Sequence, residues 1–213
     1  MDDRRLATVY TSPGDSWANL VEQTGLTRAD LVELNWHVEG LDELSPGIPL
    51  NVPKSSEGAF LKQASAFHGA ARSAYEVAKE EFLLNIKEDP RPGKDNPRIV
   101  LYHSTTSDGA QPDEVAWCSS FVNYCVEQSG KVGTDSKAAR SWLHWGESVP
   151  RGQWREGDII VFERGSEPWM GHVGFLKSIQ GPRPMVLGGN QGDRLCYDDP
   201  YPFSAVLDVR RAT

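Results

Sequence analysis

Cys118 and His172 are the two side chains best placed in this sequence to do covalent chemistry. Cys118 lies in "DEVAWCSSFVNYCVEQSG", whose pattern predicts a helix from about Asp113 to Gln128, with the cysteine near its N-terminal end. Peptide N–H groups at a helix N-terminus present partial positive charge, which favours a thiolate, and the thiolate is the nucleophilic form. The competing reading is a buried core cysteine, a common fate for free thiols. Cys125, two turns deeper on nearly the same face, reads as core packing, and Cys196, after "GDR", reads as an unpaired loop or strand residue. Three cysteines cannot all pair, so reduced thiols are expected. No Cys/His pair has close ligand spacing and no C-x-x-C occurs, so neither a metal nor a cofactor is expected.

A nucleophilic thiol needs a base and the base needs an orienting group. Of the five histidines, His172 opens an apolar strand, "GHVGFL", directly after a turn. Such a position aims a ring into a cleft at a sheet edge, although a satisfied structural histidine fits it too. The following strand, "MVLGGNQGD", ends in Asn190 and Gln191, neutral amides able to accept from an imidazole N–H. Gly188 and Gly189 let the backbone approach closely. A plain turn explains the same residues; a phosphate cradle lacks the lysine and helix it would need. Trp117 is expected to wall the cleft, and Trp169, in "EPWM", to form a lip over the substrate or a plain surface loop. "SWLHWG" reads as core packing or a sugar-stacking wall. Asp113 and Glu114 read as capping and dipole compensation.

These residues need elements to hold them. At the N-terminal end, Val9 and Tyr10 suggest a short strand, and "SPGD" a turn with Asp15 placed to cap a helix. Trp17, Leu20 and Val21 recur at helical spacing. "TGLTRADLVELN" starts a second helix at Thr27, with Asp30 in the capping-box position, and "LSPGIPLNVP" is a turn and closing strand. The order is βααβ. A polar linker, "KSSEG", leads to a helical tract over Ala59–Ile86, and "EDPRPGKDNP" breaks it. Beyond it come a short helix near 98–103, the Cys118 helix, a second helix near 136–145, and strands near 159–162, 172–176, 185–187 and 206–210. Helices followed by a meander of strands make an α+β class.

Composition bounds the partners. The chain has 213 residues, 38% hydrophobic and 24% charged, with a net charge of −8. That is long enough for a real core and lacks the basic face a nucleic-acid partner would need. No tract approaches the roughly 20 apolar residues of a membrane span. The N-terminal 54 residues hold nine acidic and four basic side chains, so any glycan binding there rests on hydrogen bonds and shape. The opening "MDDRRLATVY" lacks the apolar stretch of a signal peptide, so synthesis in the cytoplasm is expected.

Two family resemblances follow. "PGDSW", "LVELN" and "LSPGIPLNVP" make residues 7–53 similar to a LysM module, a βααβ unit of cell-wall proteins that binds N-acetylglucosamine-containing glycans. The resemblance implies a glycan site at Gly14, Asp15 and Asn35. "GKDNPRIVLYH", "DEVAWCSSFVNYCVEQSG", "AARSWLHWG", "REGDIIVFERG", "GHVGFL" and "VLGGNQGD", in that order, resemble the NlpC/CHAP superfamily of papain-like cysteine hydrolases. That resemblance implies a nucleophile helix packed on an antiparallel sheet, with Cys118 as nucleophile, His172 as general base and Asn190 as third polar residue. Many CHAP relatives carry an acidic residue where this chain has Gly188, which leaves Gln191 as a rival to Asn190.

The expected organisation is therefore residues 1–54 as a LysM-like domain, 55–69 as linker and helix start, and 70–213 as the hydrolase. The implied substrate is an amide bond of peptidoglycan, cleaved by an endopeptidase or an N-acetylmuramoyl-L-alanine amidase. Delivery to the wall or periplasm would follow lysis, as for a phage lysin, or a secretion machine, as for an antibacterial effector with a cognate immunity protein. The rival classes are a non-catalytic wall-binding protein with a relic hydrolase fold and a cytosolic thiol amidohydrolase.

Overall fold

In the computed structural model, residues 6–11, 15–35, 38, 44, 49–53 and 72–212 are described. Gly14, the whole of the linker and the first part of the expected 59–86 helix lie outside them. The chain divides into two compact units at about residues 71/72.

The first unit has the βααβ order the pattern predicts. Strand β1 (Leu6–Tyr10) pairs antiparallel with β2 (Pro49–Pro53). The register sets Ala7 opposite Val52 and Val9 opposite Leu50, so all four share one face and are buried. Helix α1 (Trp17–Thr24) lays Trp17 and Leu20 on that face, and α2 (Arg28–Leu34) adds Leu31. Each helix begins with a reciprocal capping box. Thr27 and Asp30 form the expected one; for α1 the cap is Ser16 with Asn19, not Asp15. Asp15 is buried, and its carbonyl accepts from Leu44 N–H at 3.0 Å.

In the second unit, three helices, α3 (Ala74–Phe82), α4 (Pro97–His103) and α5 (Cys118–Gln128), accompany a six-stranded antiparallel sheet. Its strands are β3 (Glu147–Ser148), β4 (Ile159–Glu163), β5 (Gly171–Ser178), β6 (Met185–Gly188), β7 (Cys196–Asp198) and β8 (Val206–Arg211). Their spatial order is β3-β8-β4-β5-β6-β7, with β4 and β5 central. The four expected strands are present; β3 and β7 are short and carried no sequence signal. The expected helix near 136–145 is a 3₁₀ stretch, Ala139–His144. No helix among the described residues is long and apolar enough to cross a membrane.

Helix α5 is buried over most of its length, from Cys118 to Val126. Phe121 meets Phe175 of β5 edge to face at 6.2 Å. Such burial demands that each polar side chain find a partner. Ser119 Oγ donates to Ser136 O at 2.6 Å and accepts from Trp142 Nε1 at 2.9 Å, and Asn123 Oδ1 accepts from Thr134 N–H at 2.7 Å. Trp142 thus takes the core reading of "SWLHWG". A buried cluster joins the three helices: Arg98 on α4 pairs with Glu81 on α3, Tyr102 Oη donates to Glu81 Oε2 at 2.6 Å, and Arg98 Nη2 donates to Tyr124 Oη on α5 at 3.0 Å.

Candidate active site

Cys118 is the first residue of α5, not a residue one turn inside it. The expected helical start at Asp113 fails because Asp113 folds back: its Oδ2 accepts from the backbone N–H groups of Asp89 (2.7 Å) and Asn96 (2.8 Å), and residues 112–115 form a turn. Asp113 is thus a loop anchor more than a cap. Trp117 occupies the N-cap position without a side-chain cap, so the first N–H groups of α5 have no such partner at the end where Cys118 sits.

The thiol meets the Val173 backbone N–H of β5, one residue along from His172. Cys118 is 4% exposed. Burial pushes its thiol up, and the N–H groups of Val173 and Ser119 with the Arg164 charge offset this only in part. Desolvation therefore outweighs the helix end, and the resting group is the neutral thiol, contrary to the thiolate expected from the helix position alone.

His172, 2% exposed, is pushed down to about 4, by burial first and by the Arg164 charge against the Gln191 hydrogen bond. It is a neutral base at pH 7. Its Nε2 lies 3.0 Å from Gln191 Oε1, and Gln191 Nε2 donates to the Cys196 carbonyl at 2.8 Å. A carbonyl can only accept, so the Gln191 amide is oriented with its oxygen toward the ring. The imidazole proton is then assigned to Nε2, and Nδ1 keeps the lone pair.

The orienting amide is thus Gln191, and Asn190 goes elsewhere. Asn190 takes a left-handed φ of 57° and its Nδ2 donates to Glu88 Oε1 at 2.9 Å, an oxygen that also accepts from Trp117 Nε1 at 3.0 Å. Burial raises the Glu88 pKa, against the lowering effect of the Trp117 hydrogen bond. Gly188 explains why Gln191 can reach: a Cβ there would sit 2.7 Å from Gln191 Oε1 and 3.2 Å from His172 Nε2. The amide from position 191 fills the space a side chain at 188 would take.

Two of the three expected substrate contacts change role. Trp117 is fully buried, and the absent Cβ of Gly189 would lie 2.4 Å from its ring, so it packs behind the site and meets no substrate. Gln191, 6% exposed, serves the histidine. Trp169, 70% exposed, does lie on the rim of a cleft of about 290 Å³ that Cys118 lines together with Lys137, Ala139, Arg164 and Met170. Sequence reasoning missed Arg164, Lys137 and Tyr201. Tyr201 stands 5.7 Å from the His172 ring and 5.3 Å from Phe162. It comes from the segment between β7 and β8 and carried no motif. Arg164 follows the fourth strand in "IIVFERG", a placement that marks it only once β4 is known to border β5.

In the first unit, Asn35 is a structural lock. Its Nδ2 donates to Leu31 O (3.0 Å) and Asn51 O (2.9 Å), and its Oδ1 accepts from Asn51 N–H (2.7 Å). Both amide protons are committed inside the fold, and Asp15 is buried, so neither side chain presents itself to a glycan. Among the described residues no group of three His, Cys, Asp or Glu is arranged to hold a metal ion.

Residues 110–190 match the CHAP domain family. That span contains Cys118, His172 and Asn190 and ends one residue before Gln191. Among solved structures, the chain is similar to a protein of Staphylococcus aureus described as similar to a lipoprotein of the NLP/P60 family, at 15% identity and a TM-score of 0.36, over 92% of this chain and 74% of that one. No curated protein matches the chain.

Proposed function

We infer that residues 70–213 form a cysteine amidohydrolase of the CHAP/NlpC type that cleaves an amide bond in the peptide part of peptidoglycan. The observation that carries this is the oriented pair His172–Gln191, His172 being next in β5 to Val173, whose backbone N–H meets the thiol of Cys118, a residue that lines an open cleft. The family match over residues 110–190 supports the substrate class.

As sulfur attacks the amide carbonyl carbon, His172 Nδ1 takes the thiol proton. Both members start neutral, so the proton moves during the attack. The resulting imidazolium is stabilised by the Nε2–H bond to Gln191. The tetrahedral oxyanion is held by N–H groups at the start of α5, which have no intrahelical acceptor. His172 then protonates the leaving amine, the C–N bond breaks, and a thioester remains on Cys118. Water, deprotonated by His172, hydrolyses the thioester to a carboxylate and restores the thiol.

The βααβ order supports a LysM-like reading of the first unit, as a tether that raises the local substrate concentration. Its glycan contacts would then come from residues other than Asn35 and the buried Asp15. Action as a lysin or as a secreted effector completes the proposal, the latter with an immunity protein as partner.

The test is digestion of purified peptidoglycan under reducing conditions by the wild type and Cys118→Ala, with released fragments read by mass spectrometry. Fragments from the wild type alone establish the nucleophile, and their new termini name the bond as endopeptidase or amidase product. No release by either protein, on several peptidoglycan types, overturns the hydrolase reading in favour of a wall-binding protein.

A further inference from the structure

The Cys118 cleft is charged in the sense opposite to the chain. The protein carries a net −8, yet the cleft is lined by Lys137 and Arg164 and by no acidic residue. Lys137 is partly committed, its Nζ lying 3.3 Å from Asp108 Oδ2. Arg164 is exposed and has no carboxylate partner among the described residues, although Glu163 precedes it and Glu167 follows in the same turn. Several arginines of this unit do have carboxylate partners: Arg98 with Glu81, Arg210 with Asp208, Arg211 with Asp158.

An unpaired guanidinium here works against the base. Its charge opposes protonation of His172. It does nothing for packing, being exposed. What it offers is a rigid fork of donors facing the cleft, which matches a carboxylate in a way a lysine ammonium does not.

The geometry points to Arg164 as the residue that selects a substrate bearing a free carboxylate close to the scissile amide, with Trp169 covering the same segment from the rim. The substrate class is thus an acidic peptide, and conversion of its carboxylate to a carboxamide removes the feature recognised. This rests on the hydrolase reading above only for the identity of the cleft. A bound carboxylate would also neutralise the charge that opposes His172, so substrate binding raises the basicity of the imidazole at the moment it is needed.

The test uses soluble peptide fragments of peptidoglycan, either native or with their carboxylates converted to carboxamides by carbodiimide and ammonia. Equilibrium binding is measured to full-length Cys118→Ala, which holds fragments without turnover, and to the same protein carrying Arg164→Gln or Arg164→Lys. Turnover is measured with the wild type and with the Arg164 variants on their own. We expect amidation to weaken binding by about tenfold, and Arg164→Gln to weaken binding of native fragments similarly while losing the discrimination. Arg164→Lys should recover part of it. Arg164 is exposed, so neither change threatens the fold, and an unchanged melting temperature verifies that. Equal binding of both fragments, discrimination that survives Arg164→Gln, or no binding of either fragment overturns the inference. Discriminating binding without cleavage by the wild type leaves the inference standing and removes the hydrolase reading instead.

Discussion

Gln191→Leu separates the roles of the two amides that follow the sixth strand. In the resting protein Gln191 Oε1 lies 3.0 Å from His172 Nε2, the Gln191 side chain being held by the Cys196 carbonyl at 2.8 Å. Leucine fills a similar volume and removes both bonds. The ring bond matters most when the imidazole is charged, and a hydrogen bond to a charged group contributes about 1.5–3 kcal/mol. If that difference appears in the transition state, kcat falls about ten- to 150-fold. Loss of the acceptor also lowers the His172 pKa further, since the Gln191 hydrogen bond is what raises it, so the acidic limb of the rate profile moves down in pH. The assay is initial-rate release of fragments from purified peptidoglycan across pH, with Cys118→Ala as the zero. Asn190→Ala, which breaks the bond to Glu88 and strains the left-handed turn by about 1 kcal/mol, should leave kcat near wild type. A wild-type rate for Gln191→Leu together with a large loss for Asn190→Ala refutes the assignment.

The remaining expectations concern stability. His103 and His172 are both pushed down to about 4 from an ordinary 6.5, burial being the main cause. The unfolded chain therefore binds more protons between those values, and stability, full above pH 6.5, falls toward pH 4 by about 3 kcal/mol for each histidine. Urea midpoints should show it, and His103→Gln should flatten the slope; an identical slope in the variant refutes the coupling. Arg98→Met leaves Glu81 buried without its partner and should destabilise by about 3–5 kcal/mol in urea unfolding, while adding Glu81→Leu should recover most of that loss. Asn35→Ala removes the side-chain hydrogen bonds to Leu31 O, Asn51 O and Asn51 N–H, so the first unit should lose about 1–3 kcal/mol by thermal melting. An unaltered melting curve, with glycan binding lost, would restore Asn35 as a ligand residue.

Much of the architecture was readable along the chain because it rests on local periodicity. Trp17 and Leu20 announce a helical face, Thr27 with Asp30 announces its neighbour's start, and the apolar runs of the four longer strands bound themselves with turns. Cys118 and His172 were legible too, since each sits beside a distinctive boundary: a helix start and a strand opening after glycine. What the chain alone left open was decided by register and by desolvation, which are sums over residues distant in sequence. Whether position 190 or 191 meets the imidazole depends on one left-handed residue, Asn190, and on the room left by Gly188, neither visible in composition. Whether Cys118 rests as thiol or thiolate depends on burial under β5, which outweighs the helix end that sequence position suggested. Trp117 looked like a cleft wall and is core, because Gly189 brings the backbone onto its ring. Arg164 carried no signal of its own in the sequence. Only the pairing of β4 with β5 sets it on the cleft that Cys118 lines, where its charge has no partner but a substrate.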